Sequence, residues 1–510
     1  MKVSKSLVIV FKSLFIFIGT LYSAEGNQNK QLKIVLMLGQ SEMVGQARIS
    51  TAGYMLRKPL VPPKEVTLNA HKSMIHQING AYLYWQLLDA YEGPKDKKEE
   101  LVKLIKERSE FKMRFKQKVI DELTKNNGVF RGKTYAKRRG AYRGFWLFNL
   151  CDEECEQVGL TPKIRAILDG EDNQFNLHRA YDQILKDSER RYEMQLELNS
   201  KIMKGASLEK ASIFHTKFKE MQVRLKNDNV AVVKIRNEFA NLAHKYLGFP
   251  IAKKTHIVSI GTVAGQATED KGTLFTKGKL SVGYGASPDT FGLEYATGMT
   301  LEKCIDRPIL IIKCAWNNNR GGIAEHWSKT EEGELITYID QVKKHLKIVL
   351  ANLKEYHPQY GVDIGYDFTG VLWFQGMSEK NNLNYEKELI RLISELRLMT
   401  GKPDLPIVCG TIGDSIFQNQ SDASPINIAM KNVSGVTKNV SVVDTHKFYT
   451  SEIAVINGMI YKNRLKDPII SKVISEATSG RGKYYPSYMG SATFYLLAGE
   501  AFAKTLSNKL

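Results

Sequence analysis

Short apolar runs of strand length recur along the chain at residues 34–38, 256–261, 280–284, 308–315, 368–374, 405–413 and 440–444. Several of them, such as PILIIKCA at 308–315 and FTGVLWF at 368–374, show no regular polar alternation. Such runs suit strands buried on both faces, as in a parallel sheet covered by helices. Amphipathic segments lie between the later runs, for example at 331–354 and 385–399, and each is long enough for a helix. This alternation leaves one economical architecture, a parallel, doubly wound α/β sheet. In such sheets ligands bind beyond the carboxyl ends of the strands.

The first run shows what one of those ends carries. In LKIVLMLGQSEMVG, residues 32–45, the apolar stretch stops at Gly39 and Ser41 follows two residues later. A helix starting near Met43 would leave Ser41 close to its N-terminus, where unpaired N–H groups favour an oxyanion. Two readings fit these residues: a nucleophilic serine, or a Ser/Gly turn joining strand to helix.

After Gly45 the texture changes. From about 95 to 248 apolar residues recur at helical steps, as in Leu101, Leu104, Ile105, Phe115, Val119 and Leu123, and Asn126-Asn127-Gly128 supplies a stop. A second amphipathic block covers 181–246, with breaks at Gly205 and 227–229. Between the two blocks, 128–144 is rich in Gly and Arg and reads as a basic loop. Residues 71–248 are therefore expected to form a basic, mainly helical insertion. It would divide a sheet domain whose two parts are 25–70 and 249–510.

The formal net charge is +19, which attracts acidic glycans, nucleic acid or anionic lipid. Lys-rich helices read first as solvated faces and second as a platform for an acidic polymer. Neither zinc-finger spacing nor an RRM-like aromatic motif is present, so nucleic acid is not an expected partner. Residues 1–24 carry Lys2 and Lys5, an apolar stretch at 7–21, and small residues at Ser23 and Ala24. That is the pattern of an export signal, which places the chain in the periplasm or outside the cell. Lys12 and Tyr22 depart from the pattern and keep an uncleaved N-terminal membrane anchor as the alternative. Cys304, Cys314 and Cys409 lie in or near apolar runs and are expected to be buried thiols, while Cys151 and Cys155 are close enough in sequence for a local disulfide. With no second Cys or His pair at ligand spacing, no metal site is expected.

Five blocks carry a family likeness. They are GQSEM at 39–43, FGLE at 291–294, GGIAE at 321–325, WFQGMSE at 373–379 and SYMGSA at 487–492. In this order they resemble the shared blocks of the sialate O-acetylesterase-like carbohydrate acetylesterases, which are SGNH (GDSL-type) serine hydrolases. The likeness covers about 30–70 and 250–510. It implies a three-layer α/β/α sandwich and hydrolysis of O-acetyl groups on sugars through an acyl-enzyme on Ser41, without cofactor or metal. It also implies an oxyanion hole made by the backbone N–H groups of Ser41 and of Gly322, with the side-chain amide of Gln375. Gln40 and Glu379 are implied on the substrate side. The implied partner is an acetylated carbohydrate, which the net charge extends to an acidic polysaccharide.

The departures from the family pattern matter as much. Glu42 replaces Asn, Leu293 replaces Pro, residues 317–320 are inserted, and Met377 stands where Glu or Trp is usual. Most important, Ser487 occupies the position of the family histidine, and Tyr484 that of its aspartate. A serine cannot act as general base at neutral pH. In a serine protease, loss of the triad histidine costs on the order of 10⁶ in kcat. His446 and His326, each just beyond a strand or glycine turn, are the substitutes available. Two functions follow as expectations: a weak carbohydrate esterase, or a degenerate member that binds glycan without turnover.

Overall fold

In the computed structural model the residues described are 31–56, 58, 91–135, 137–138, 141–142, 153–169, 177–227, 232–261, 276–316, 322–327, 337–376, 379, 382–412, 425–448 and 487–510. Seven strands form one sheet: β1 (Leu32–Gly39), β2 (Thr255–Gly261), β3 (Thr276–Lys279), β4 (Ile309–Ala315), β5 (Tyr366–Phe374), β6 (Ile407–Gly410) and β7 (Val440–Val443). Their order is β7-β6-β5-β1-β4-β2-β3, with all neighbours parallel except the antiparallel edge pair β2 and β3. β4 is buried along its whole length and β1 at every residue but Lys33, as their apolar composition requires.

One expected strand is displaced. Residues 280–284 are not extended ladder; the strand is the preceding segment, β3. Leu280, Val282 and Tyr284 are buried, but in a loop that turns at Gly283, where φ is +103°. The apolar pattern marks burial, and here a loop enclosed along all of 280–284 supplies it without sheet pairing.

Besides a single turn at Leu353–Tyr356, the α-helices among the described residues are α1 (Ser41–Val44), α2 (Lys95–Lys125), α3 (Leu160–Asp169), α4 (Leu177–Ile202), α5 (Leu208–Asn227), α6 (Val232–Leu247), α7 (Leu293–Cys304), α8 (Ile323–His326), α9 (Tyr338–Ala351), α10 (Tyr385–Thr400), α11 (Pro425–Val436) and α12 (Ala492–Ser507). Adjacent residues of β5 show that they cover both faces of the sheet, since successive strand side chains point opposite ways. Trp373 donates its indole N–H to the Tyr385 hydroxyl of α10 (3.1 Å), whereas Phe374 packs on Phe494 and Phe502 of α12. α7 lies along α12, with the Thr297 hydroxyl donating to the Gly499 carbonyl (3.1 Å). The fold is therefore α/β, a mixed but mostly parallel sheet between helical layers. The α9 segment starts later than the periodicity suggests: a capping box between Thr337 and Asp340 begins the helix at Tyr338, and 331–336 lie outside the described residues.

The described part of the insertion is helical, α2 to α6. Two short antiparallel ribbons, Val129–Phe130 with Lys133–Thr134 and Lys137–Arg138 with Ala141–Tyr142, stand where the basic loop was expected. Among the described residues none of the insertion joins the central sheet. Its later helices nevertheless share the main core: Leu198, Phe214, Phe218, Ile235 and Phe239 belong to the same buried cluster as β1. Gln195 and Asn199 of α4 donate to the Met55 carbonyl (3.3 and 2.6 Å), and Gln222 of α5 donates to Asp289 (2.7 Å). The earlier helix α2 has a small cluster of its own, with Val119, Leu123 and Phe130.

Cys314 and Cys409 are buried in β4 and β6, and burial pushes both thiols up to about 12, which leaves them unreactive. Cys304 corrects the expectation of a buried thiol. It is exposed, because the last turn of α7 directs it to solvent. Cys155 is buried with its sulfur 4.0 Å from the Arg108 carbonyl oxygen, while Cys151 lies outside the described residues, as does the leader at 1–24. No described helix is long and apolar enough to cross a membrane.

Candidate active site

Strand register decides what meets at the rim of the sheet. Gly39 of β1 pairs with Ala315 of β4 on one side and with Phe374 of β5 on the other. The residues that follow, Gln40-Ser41, Trp316 and Gln375, therefore leave the sheet at one level. Backbone hydrogen bonds continue the alignment, from Gln40 N–H to the Phe374 carbonyl (3.2 Å) and from Trp316 N–H to the Gly39 carbonyl (3.3 Å).

Ser41 opens the single helical turn α1. It is half-buried, whereas Glu42, Met43 and Val44 are fully enclosed. Gly45 ends the turn at φ +81°, with Gly292 so close that a Cβ at either residue would strike the other's backbone. Beneath the turn, the ammonium of Lys313 donates to the carbonyls of Val44 and Tyr284 and to Glu294 Oε2, each at 2.8 Å. Glu294 Oε1 accepts the Gly292 N–H at 2.7 Å. Burial lowers the Lys313 pKa, and the Glu294 carboxylate opposes that shift. Glu42 points into the protein. Burial holds the hydroxyls of Tyr385 and Tyr495 well above the usual phenol range, and the Glu42 charge adds to the effect.

A chain of hydrogen bonds joins the three strand ends. Gln375 donates through Nε2 to Gln40 Oε1 (3.1 Å) and to Glu379 Oε2 (2.7 Å). Glu379 Oε2 also accepts the N–H of Ile323 (2.8 Å), the first residue of α8, and Oε1 accepts from Asn382 (2.9 Å). The orientation of the Gln375 amide is fixed from the far side. The Trp373 indole can only donate, so the Tyr385 oxygen accepts from it and the Tyr385 hydroxyl donates to Gln375 Oε1 (2.9 Å). Gly322 lies so close to Glu379 that a Cβ there would overlap Oε1. Burial raises Glu379 to about 7, with hydrogen bonds from Gln375, Ile323 and Asn382 pulling it down and the charge of Glu388 raising it further.

Of the residues marked from the sequence, Ser41, Gln40, Gln375, Gly322 and Glu379 come together here. The turn Ser487–Gly490 packs against α1, so Ser487 begins a segment that lies beside the Ser41 turn. The next residue, Tyr488, takes φ +53°, unusual for a bulky side chain, and its buried ring stacks on Phe494 (3.6 Å) and Phe374 (5.6 Å). His446 follows β7, which is three strand spacings from β1, about 14 Å across the sheet. His326 is buried with its ring stacked on Tyr338 (5.1 Å), which in turn stacks on Trp316 (4.5 Å). The sequence reading missed Lys313, although a lone charge inside PILIIKCA was a usable signal, because a buried charge needs a partner. It also missed Tyr385 and Asn382, whose roles arise only where α10 meets β5.

Residues 279–455 match the family model described as carbohydrate esterase, sialic acid-specific acetylesterase. The match covers this segment, less than half of the chain. The matched segment contains Gly322, Gln375, Glu379 and His446, while Ser41 and Ser487 lie outside it. Among solved structures, a protein from Arabidopsis thaliana is 18% identical over 41% of this chain and 79% of its own, with a TM-score of 0.28. A carbohydrate acetylesterase from Xanthomonas citri is 13% identical over 44% of this chain and 50% of its own, with a TM-score of 0.26. NanS is 13% identical over 38% and 69%, with a TM-score of 0.26. No curated protein matches the chain.

Proposed function

We propose that this chain hydrolyses O-acetyl esters of carbohydrates through an acyl-enzyme on Ser41. The observation that carries the reading is the hydrogen-bonded chain Gln40–Gln375–Glu379–Ile323, which ties the loops after β1, β5 and β4 into one rim beside Ser41. In the reaction the Ser41 hydroxyl attacks the acetyl carbonyl and passes its proton to solvent water, from which the departing sugar oxygen takes one back. The tetrahedral oxyanion is held by N–H donors from Ser41, Gly322 and Gln375, and the sugar leaves after taking a proton. Water then hydrolyses the acetyl-serine. Ser487 supplies no base, so turnover rests on the oxyanion donors and on positioning, which alone sustain roughly 10³–10⁴ over water in a serine hydrolase. The charge of +19 suits an acidic polysaccharide as the acetylated substrate, and residues 1–24 suit an exported protein or one held at a membrane.

One observation favours the second reading, glycan binding without turnover: both N–H bonds of the Gln375 amide are already engaged. Rates on p-nitrophenyl acetate decide between them. We expect slow hydrolysis by the wild type, none beyond background in Ser41→Ala, and a faster rate in Ser487→His. Full activity that collapses in His446→Ala would overturn the weak-esterase reading, and a rate unchanged in Ser41→Ala would overturn the acyl-enzyme.

A further inference from the structure

The amide of Gln375 has two N–H bonds, and the structure shows where each goes. One is held by Gln40 Oε1 and the other by Glu379 Oε2. Rotating the amide would give up the 2.9 Å bond that the Tyr385 hydroxyl, which accepts from the donor-only Trp373 indole, makes to Oε1, and would leave that hydroxyl the longer 3.2 Å contact to the Gln375 carbonyl. An oxyanion forming over Ser41 must therefore take an N–H from Gln40 or from Glu379. Gln40 offers a neutral amide oxygen. Glu379 offers a carboxylate that would also lie close to the new negative charge.

We propose that Glu379 is the positioning residue that governs the Gln375 donor, and that the working form of the site is the one with Glu379 neutral. This rests on the reading of Ser41 as the nucleophile. Ionised Glu379 keeps the Gln375 N–H and repels the oxyanion. Neutral Glu379 is the weaker acceptor and yields the N–H to it. Glu379 also accepts the Ile323 N–H, so its charge state acts on the β4 and β5 loops together.

The surroundings make such a neutral form accessible. Glu379 is enclosed, Gly322 packs against its carboxyl group, and burial raises it to about 7. The titratable groups coupled to it are Glu388 and Tyr385 of α10. Glu388 acts most directly, because Asn382 donates to both carboxylates, at 2.9 Å to Glu379 and 2.8 Å to Glu388.

The test compares full-length wild type with Glu379→Gln from pH 5.5 to 9, using p-nitrophenyl acetate. Taking the ratio of their kcat/KM values cancels the common rise from hydroxide. We expect that ratio to be level below about pH 6 and to rise toward tenfold per unit above pH 7, as the wild type alone ionises at this position. Glu388→Gln should move the wild-type midpoint to lower pH without abolishing it. A ratio independent of pH overturns the proposal. A second readout does not need turnover: the side-chain carboxyl ¹³C signal of Glu379, assigned by its loss in Glu379→Gln, and the side-chain amide ¹⁵N signal of Gln375. Both should shift with one midpoint near 7. A Glu379 midpoint below 5, or a Gln375 amide that does not follow it, overturns the coupling whatever the enzyme's activity. Absence of hydrolysis with the coupled titration intact would instead sink the esterase reading alone.

Discussion

Replacing Lys313 by Met should be among the most damaging single changes in the sheet domain. The Lys313 side chain is 2% exposed and that of Glu294 0%, so the pair has no access to water. Removal of the ammonium leaves the Glu294 carboxylate buried with the Gly292 N–H still donating to it, and takes a hydrogen bond from each of the Val44 and Tyr284 carbonyls. Breaking a buried pair by deleting one partner costs about 3–5 kcal/mol. For a domain of this size that corresponds to a melting shift of roughly 6–20 °C. The double variant Lys313→Met with Glu294→Gln removes both charges and should recover a large part of the loss, since an isosteric neutral replacement is often close to neutral in stability. Urea unfolding followed by tryptophan fluorescence measures this directly, because Trp316, Trp327 and Trp373 are buried around the same strand ends. A single variant within about 1 kcal/mol of the wild type, or a double variant that loses the sum of both singles, would refute the role given to the pair. Because Lys313 also holds the Val44 carbonyl, the single variant should lose ester hydrolysis at temperatures where it remains folded.

Two further outcomes are expected. Gly322→Ala should displace the Glu379 carboxylate from the Ile323 N–H, costing about 1–3 kcal/mol for the amide left unsatisfied, and should lower kcat/KM; a variant with wild-type melting and kinetics would show that the contact is not needed. The rings of His256 and His357 lie 4.3 Å apart, tilted by 57°, and burial lowers both, His256 to about 4. A folded pKa below the unfolded 6.5 means that the unfolded chain binds more protons between those values. Stability should therefore be full above pH 6.5 and fall as the pH drops toward 4. His256→Gln should flatten that fall in calorimetric melting between pH 6.5 and 4.5, and an unaltered slope would assign the acid sensitivity elsewhere.

The strands β1, β4, β5 and β6 were legible because residues buried on both faces must be apolar almost without interruption, a constraint written locally in the chain. The helices of the insertion were legible for a similar local reason, the recurrence of one apolar face at helical spacing, and Gly205 and Asn227 end helices near where the breaks were expected. Ser41 and Gln375 could be named from their blocks because each sits just after a strand end, and Gly322 because it precedes the first residue of α8. What linear order left open was how those ends meet. That is set by register, which puts Gly39 level with both Ala315 and Phe374 across the sheet. Glu379 could be read as a substrate contact from its block, but its engagement with Gln375, Ile323 and Asn382 exists only once three loops converge. The same holds for Lys313, a charge out of place in its own strand until Val44, Tyr284 and Glu294 surround it. Local pattern determines which residues must be buried and in which element. Which buried polar groups find one another depends on contacts between residues distant in sequence, and those are made only when the sheet closes in register.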